Sequence, residues 1–275
     1  MSQRPWAKPQ GASLKVAWQG MPWQKVHRQV FRRQKRIYRA TQRGEVRTVH
    51  KLQKLLVKSG SARRLAVRRI TQDNRGKPTA GIDGVKSLTP PPRGRLAKES
   101  PLDGTATALR RSWIPQRGST TEKRPLGIPT QADRARQTVV RQAWEPEGEA
   151  TRSPHTYGFR PGRSCHEAIG AIFTTIRFRP PYALTLASAQ CCDRLNPQAL
   201  WAKVQAPPRI RRQLKAWLKA GILADDHLSP PTAGTPQGGS CSPLLARIAR
   251  QGMEEALTRV YPSARVITYA DEGVV

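Results

Sequence analysis

Asp271 and Glu272 are the residues of this chain best suited to chemistry. Two short β-branched runs, Val266 to Thr268 and Val274 to Val275, flank them in the pattern of a tight hairpin. Such a turn holds two carboxylates at its tip with little freedom to move. Adjacent acids repel unless a cation lies between them, and the arrangement suits Mg²⁺, a hard ion that takes oxygen ligands and substrate phosphates. Two acids alone read by default as a solvated turn, so the other segments decide. A second pair, Asp225-Asp226, has no further ligands nearby in sequence and reads as a solvated polar loop.

The other chemistry written into the chain is the binding of anions. Lys and Arg number 49 against 18 Asp and Glu, a net charge of +31. A compact fold would repel itself at that charge unless a polyanion neutralised much of it, and nucleic acid is the leading partner. An anionic membrane surface comes second, but no stretch approaches the roughly 18 apolar residues of a spanning helix. The N-terminus lacks the apolar core of a signal peptide, which argues against secretion. Cysteines stand only at 165, 191, 192 and 241, with no CxxC pair. That speaks against zinc or a disulfide framework and fits a reducing compartment, cytoplasmic in a bacterial cell or organellar.

The elements that must position these groups follow from periodicity. Residues 1–20 read as a flexible lead-in, and 21–72 as a basic helical segment. Its first helix puts Trp23, Val26, Val30 and Ile37 on one stripe and Arg28, Arg32, Arg33, Lys35, Arg36 and Arg39 around the rest. Glu45 is the only acid among the first fifty residues, and this purity of sign points to RNA phosphates. A second helix carries Val46, Val49, Leu52, Leu55 and Leu56, and a third spans Leu65 to Ile70. The Gly- and Pro-rich stretch from Asp73 to about Thr107, with Pro90-Pro91-Pro92, reads as loop.

Two strand-like runs, Trp113 to Arg117 and Lys123 to Pro129, precede a helix from about Gln131 to Trp144. Ser164 is a sensible N-cap for a helix bearing Ala168, Ile169, Ile172, Phe173 and Ile176. Tyr182 to Ala187 reads as a buried strand, followed by helices from Pro197 and around Ile210 to Leu218. The turn Gly234 to Ser242 permits close backbone approach to a ligand. Ser242 as N-cap and Pro243 at N1 then start one helix running on to Val260. The chain has no Walker lysine and no dinucleotide-binding glycine fingerprint.

Six blocks, in this order, resemble the reverse-transcriptase domain of group II intron-encoded proteins, the intron maturases: TAGIDG (79–84), WIPQRGSTTEKRPLGIP (113–129), DRARQ (133–137), YGFRPGRSCHEAI (157–169), GTPQGGSCSPLLA (234–246) and YADE (269–272). The match runs from about residue 20 to the end. The resemblance implies an α+β right-hand polymerase fold. Its fingers are expected over 73–180 and a partial palm over 181–275, with an antiparallel palm sheet backed by helices and 21–72 as a basic helical N-terminal extension. The chain stops just past YADE, so the thumb with its maturase region and any DNA-binding or endonuclease parts are expected to be absent.

The family's chemistry is nucleotidyl transfer on an RNA template-primer, with two Mg²⁺ ions activating the primer hydroxyl and stabilising the leaving oxygen. By resemblance, Asp271 is a metal ligand and Glu272 its neighbour in the acid pair. The partner acid, six residues before Asp193, falls on Ala187 and is missing. Arg124 matches a triphosphate-binding arginine. Gln116 stands where a lysine is expected, so Arg117 or Lys123 would have to lend charge instead. Cys192 replaces the aromatic that excludes a ribose 2′-hydroxyl, Gly273 replaces a Phe, and Gln237 and Gly238 match the turn that contacts the nucleotide.

Three readings remain open from the sequence: an RNA-directed DNA polymerase of intron mobility and splicing; a non-catalytic splicing cofactor that clamps intron RNA, with DNA as a further partner; and an inactive fragment of a mobile element.

Overall fold

The computed structural model describes residues 18–74, 76–115, 123–177, 182–187, 195–230 and 238–275. The lead-in up to residue 17 and the site positions Gln116, Arg117, Cys192 and Gln237 lie outside the described residues.

Towards the N-terminal end of the described residues lie α1 (Trp23–Gln42), α2 (Val46–Lys58) and α3 (Gly60–Arg68), the last running into a π-turn at Arg69–Asp73. The apolar stripe of α1 faces inward as its spacing requires, burying Val26, Val30 and Ile37. The segment read as loop contains a helix, α4 (Pro90–Glu99). The proline run opens it because the first helical turn needs no amide donors and proline already has the helical φ.

The helix that organises the molecule is α5 (Gln131–Ala150), longer than the sequence reading and buried along most of its length. Thr130 caps it, its side chain accepting from the Asp133 N–H. Pro146 lies inside it and cannot donate to the Gln142 carbonyl. Gln34 of α1 donates its Nε2–H to that carbonyl instead, at 2.9 Å, so the helix continues through the proline. The remaining helices are α6 (Cys165–Ile176), α7 (Pro197–Lys203), α8 (Pro208–Leu218), α9 (Ser242–Ala249) and α10 (Met253–Val260). Residues of α1, α2, α3, α5, α7, α8 and α9 share one apolar cluster, with Ile37, Leu56, Val140, Leu200, Leu214 and Leu244 at its centre. The basic N-terminal helices are therefore built into the main core. None of the helices among the described residues is long and apolar enough to cross a membrane.

Two four-stranded sheets accompany the helices. The first has the order β2 (Lys123–Ile128), β1 (Leu109–Pro115), β5 (Ile222–Ala224), β6 (His227–Ser229). The second has the order β3 (Thr156–Tyr157), β7 (Ile267–Tyr269), β8 (Glu272–Val274), β4 (Thr185–Ala187).

Several expectations are corrected here. The second sheet is mixed, because β3 runs parallel to β7 while the β7–β8 and β8–β4 pairs are antiparallel. A long helical connection separates β3 from β7 in sequence, which frees their relative direction. Tyr182 to Ala187 is no buried strand: β4 is a sheet edge, with Thr185 and Ala187 exposed. Asp225-Asp226, by contrast, is exposed as read: it is the two-residue turn of the β5–β6 hairpin, with φ of +47° and +61°, the left-handed pair that matches strand twist. The helix read from Ser242 to Val260 is two, because Gly252 turns left-handed (φ +93°) between α9 and α10. Ser242 is the first residue of α9 rather than its cap.

Two stability predictions follow from α5. Trp217 of α8 donates its Nε1–H to the buried Asp133 carboxylate at 3.0 Å, so Trp217→Phe is expected to cost about 2 kcal/mol in urea unfolding. Burial raises the Glu147 carboxyl above its ordinary value of 4.5, despite a hydrogen bond from Gln53. Because its folded value lies above its unfolded one, the stabilising state is the protonated one, present in full below 4.5 and lost as pH rises through the folded value. Glu147→Gln should raise the urea midpoint at pH 7 and leave it unchanged near pH 4; a lower midpoint at pH 7 would contradict this.

Candidate functional site

The acid pair sits on the β7–β8 hairpin. Tyr269 pairs with Glu272 across it, so the turn is the two residues Ala270 and Asp271, and Glu272 is already the first residue of β8. Ala270 adopts a positive φ of +55°, which lets two residues reverse the chain. Asp271 is half-buried in the turn and Glu272 is exposed.

Register fixes the neighbours of the pair. Tyr157, Tyr269, Glu272 and Ala187 lie side by side across the four strands of the sheet. Directly opposed residues on neighbouring strands present their side chains to one face, with Cβ atoms roughly 5 Å apart. A carboxylate at 187 would therefore stand against Glu272 of the hairpin, and alanine occupies the place. Among the described residues, no group of three His, Cys, Asp or Glu side chains could hold a metal ion.

The hairpin is propped by the 157–164 block. The Ala270 N–H donates to the Tyr157 carbonyl and the Thr268 N–H to that of His155. Gly158, at φ +74°, lies so close to the Ala270 backbone that a Cβ there would collide with the Ala270 nitrogen. The block then turns into α6 through a full capping box: Ser164 Oγ accepts from the Glu167 N–H, and the Glu167 carboxylate accepts from the Ser164 N–H. The Ser164 N–H and hydroxyl, both donating to that carboxylate, hold the Glu167 carboxyl below its ordinary value. Arg160 is buried, its guanidinium on the Glu149 carboxylate at 2.8 Å.

Helix α5 holds the other blocks. Arg134 Nε donates to the Pro129 carbonyl and Nη2 to that of Thr79, which fastens the 79–84 block. Gln137 Oε1 accepts from the Ser240 N–H at 2.8 Å, and the Gln137 carbonyl accepts from Cys241 Sγ at 3.0 Å. Burial pushes the Cys241 thiol up to about 12, which leaves it inert. The same turn brings Gly238 (φ +111°) against β2, where an added Cβ would lie 2.8 Å from the Gly127 carbonyl oxygen.

Lys123 and Arg124 are exposed at the start of that strand, paired with Pro115 and Ile114, so Gly238 and the basic pair share β2 about 10 Å apart. Arg124 thus belongs to the first sheet, against which Gly238 packs, whereas Asp271, Glu272 and Ala187 belong to the second sheet and its hairpin. The positions that sequence reasoning did not assign a role are Arg134, Gln137, Gly158 and Arg160. All four lie inside the quoted blocks, which was the only signal they gave.

On α1, Arg28, Arg32, Lys35, Arg36 and Arg39 are exposed. Arg33 is half-buried, with Nη1 donating to the Gln29 carbonyl.

Comparison with known proteins identifies the family. A family model described as the N-terminal domain of reverse transcriptase matches residues 18–99, and one described as reverse transcriptase (RNA-dependent DNA polymerase) matches residues 114–275. Protein YkfC of Escherichia coli (strain K12) is 31% identical over 212 residues, covering 72% of this chain and 55% of that protein. Group II intron-encoded protein LtrA of Lactococcus lactis subsp. cremoris is 32% identical over 184 residues, covering 64% of this chain and 30% of LtrA. Maturase-like protein 1 of Euglena gracilis is 27% identical over 219 residues, covering 74% of this chain and 46% of that protein. The chain thus spans about half of these relatives' length, or less. It belongs to the reverse transcriptase family, and its reverse-transcriptase domain is homologous to those of group II intron-encoded and maturase-like proteins.

Proposed function

We propose that this chain is an RNA-binding reverse-transcriptase domain whose scaffold persists and whose nucleotidyl-transfer chemistry is disabled, serving as a non-catalytic cofactor for group II intron RNA. One observation carries the reading: Ala187 stands directly opposite Glu272, where the family's chemistry needs a carboxylate. Mg²⁺ would supply activation of a primer hydroxyl and charge neutralisation at phosphate. Among the described residues the donor set is Asp271 and Glu272, adjacent on one hairpin, and such a set does not fit two such ions. In this reading the first sheet belongs to the fingers and the second to the palm. Arg124, Lys123 and Gly238 would line a nucleotide path that ends without its metal centre, with Arg117, Gln237 and Cys192 as its further members by resemblance.

Loss of one acid leaves RNA binding intact, because basic helices hold RNA through phosphates and shape. The exposed cations of α1 are the surface for it, with DNA as a weaker alternative. Paired assays test the reading: filter binding to structured intron RNA, expected to succeed, and primer extension on an RNA template with Mg²⁺ and dNTPs, expected to give no product. Measurable extension by the unaltered chain would refute the loss of chemistry, and absence of RNA binding would refute the cofactor role.

A further inference from the structure

Behind the second sheet, a cavity of about 220 Å³ opens between the end of α5 and the α9–α10 junction. Thr156 and Thr268, paired across β3 and β7, form part of its wall, together with Arg152, Ser153, Arg247 and Arg250. The charge around it does not balance locally. Glu145 and Glu149 are shared among four guanidiniums: Arg141 (3.1 Å) and Arg247 (3.6 Å) on Glu145, and Arg152 (3.2 Å), Arg160 (2.8 Å) and Arg247 (3.6 Å) on Glu149.

Arg247 is the member left short. It is only 7% exposed, it lines the cavity, and its Nε and Nη1 have no hydrogen-bond partner among the described residues. Arg250 Nε, on the same wall, has none either. Burial first, and then the neighbouring Arg152, push the Arg247 guanidinium down to about 10, so it remains charged at neutral pH. A buried cation with unmet donors is costly unless an anion completes it.

The geometry points to an oxyanion of phosphate chemistry in this cavity, gripped by Arg247 and Arg250. A guanidinium offers a planar fork that matches phosphate oxygens. Ser153 Oγ accepts from the His155 N–H and keeps its own proton to donate to a third oxygen. Lys203 also lines the cavity, but its ammonium is committed to the Ala249 and Gln251 carbonyls. Three acids share the lining. Glu147 is biased towards its neutral form by burial, Glu254 is half-buried and Glu255 is exposed to solvent screening. The phosphate could arrive as a free anion or as part of an RNA backbone.

The test titrates inorganic phosphate against chloride at matched ionic strength and follows the thermal midpoint of the full chain, Arg247→Met and Arg250→Met. The wild type is expected to gain on the order of 5 °C at saturating phosphate beyond the chloride control. Arg247→Met should lose that gain while melting higher than wild type without phosphate, because it removes a buried, under-paired charge. Arg250→Met, which disturbs none of the ion pairs above, should reduce the gain. An equal phosphate response in all three chains, or none in the wild type, would overturn the site. RNA binding then tells the sources apart. If a backbone phosphate occupies the cavity, Arg247→Met shallows the salt dependence by about one unit of slope; if a free anion does, the slope is unchanged.

Discussion

Ala187→Asp is expected to restore metal binding and chemistry together. The substitution places a carboxylate directly opposite Glu272, on the sheet face it shares with that residue. A chelating acid contributes charge that a methyl group cannot. Its loss removes several kcal/mol of transition-state stabilisation, so the variant should extend a primer on the order of 10³-fold faster than the unaltered chain. Mn²⁺ binding, read by paramagnetic resonance, should tighten alongside. The strand is short and at a sheet edge, so the added acid meets water rather than a packed core, and folding should tolerate it. If the variant neither binds Mn²⁺ more tightly nor extends a primer, the missing carboxylate is not what disables the site.

The second large effect is the response of RNA affinity to salt. The five exposed cations of α1, Arg28, Arg32, Lys35, Arg36 and Arg39, displace about as many counterions from RNA if all engage phosphates. Affinity should then fall on the order of 10²- to 10³-fold between roughly 50 and 200 mM salt. Changing Arg32, Arg36 and Arg39 together to Gln should shallow the logarithmic slope by roughly 2 to 3 units, while Arg33→Gln alone should do little, because Arg33 is half-buried on its own helix. Affinity that holds steady across that range, or a triple variant with the parental slope, would remove α1 from the binding surface.

The parts of the fold that could be read in advance are those with a local cause. The stripe Val26, Val30, Ile37 predicted a buried helix face, and Ser164 predicted a helix N-cap; both stand as read. The hairpin around Asp271 was visible in two β-branched runs, but β7 lies one residue later than its run and β8 begins two residues earlier, taking Glu272 out of the turn. What could not be read depends on residues distant in the chain. Pro90 to Pro92 look like loop until a helix begins there. Tyr182 to Ala187 has the composition of a buried strand, but composition does not say which strand ends a sheet.

The candidate site divides the same way. Asp271, Arg124 and the absence at 187 are matters of residue identity and were legible by resemblance. That Gly158 braces the hairpin and Gln137 anchors the glycine turn are matters of contact across many residues, and only coordinates supply them. The excess of guanidiniums around Glu145 and Glu149 is of that kind too. Arg247 is far in sequence from Arg152 and Arg160 and meets them around Glu149 only after folding.

Strand β4 has a consequence for handling the molecule. Among the described residues it pairs with β8 alone, and beside it Tyr182 and Leu184 are exposed. An unpaired backbone margin bordered by greasy side chains is a template for another copy's strand. Concentrated stocks of the isolated domain should therefore cloud and form oligomers rich in intermolecular sheet. A lysine introduced at Leu184 should keep them clear.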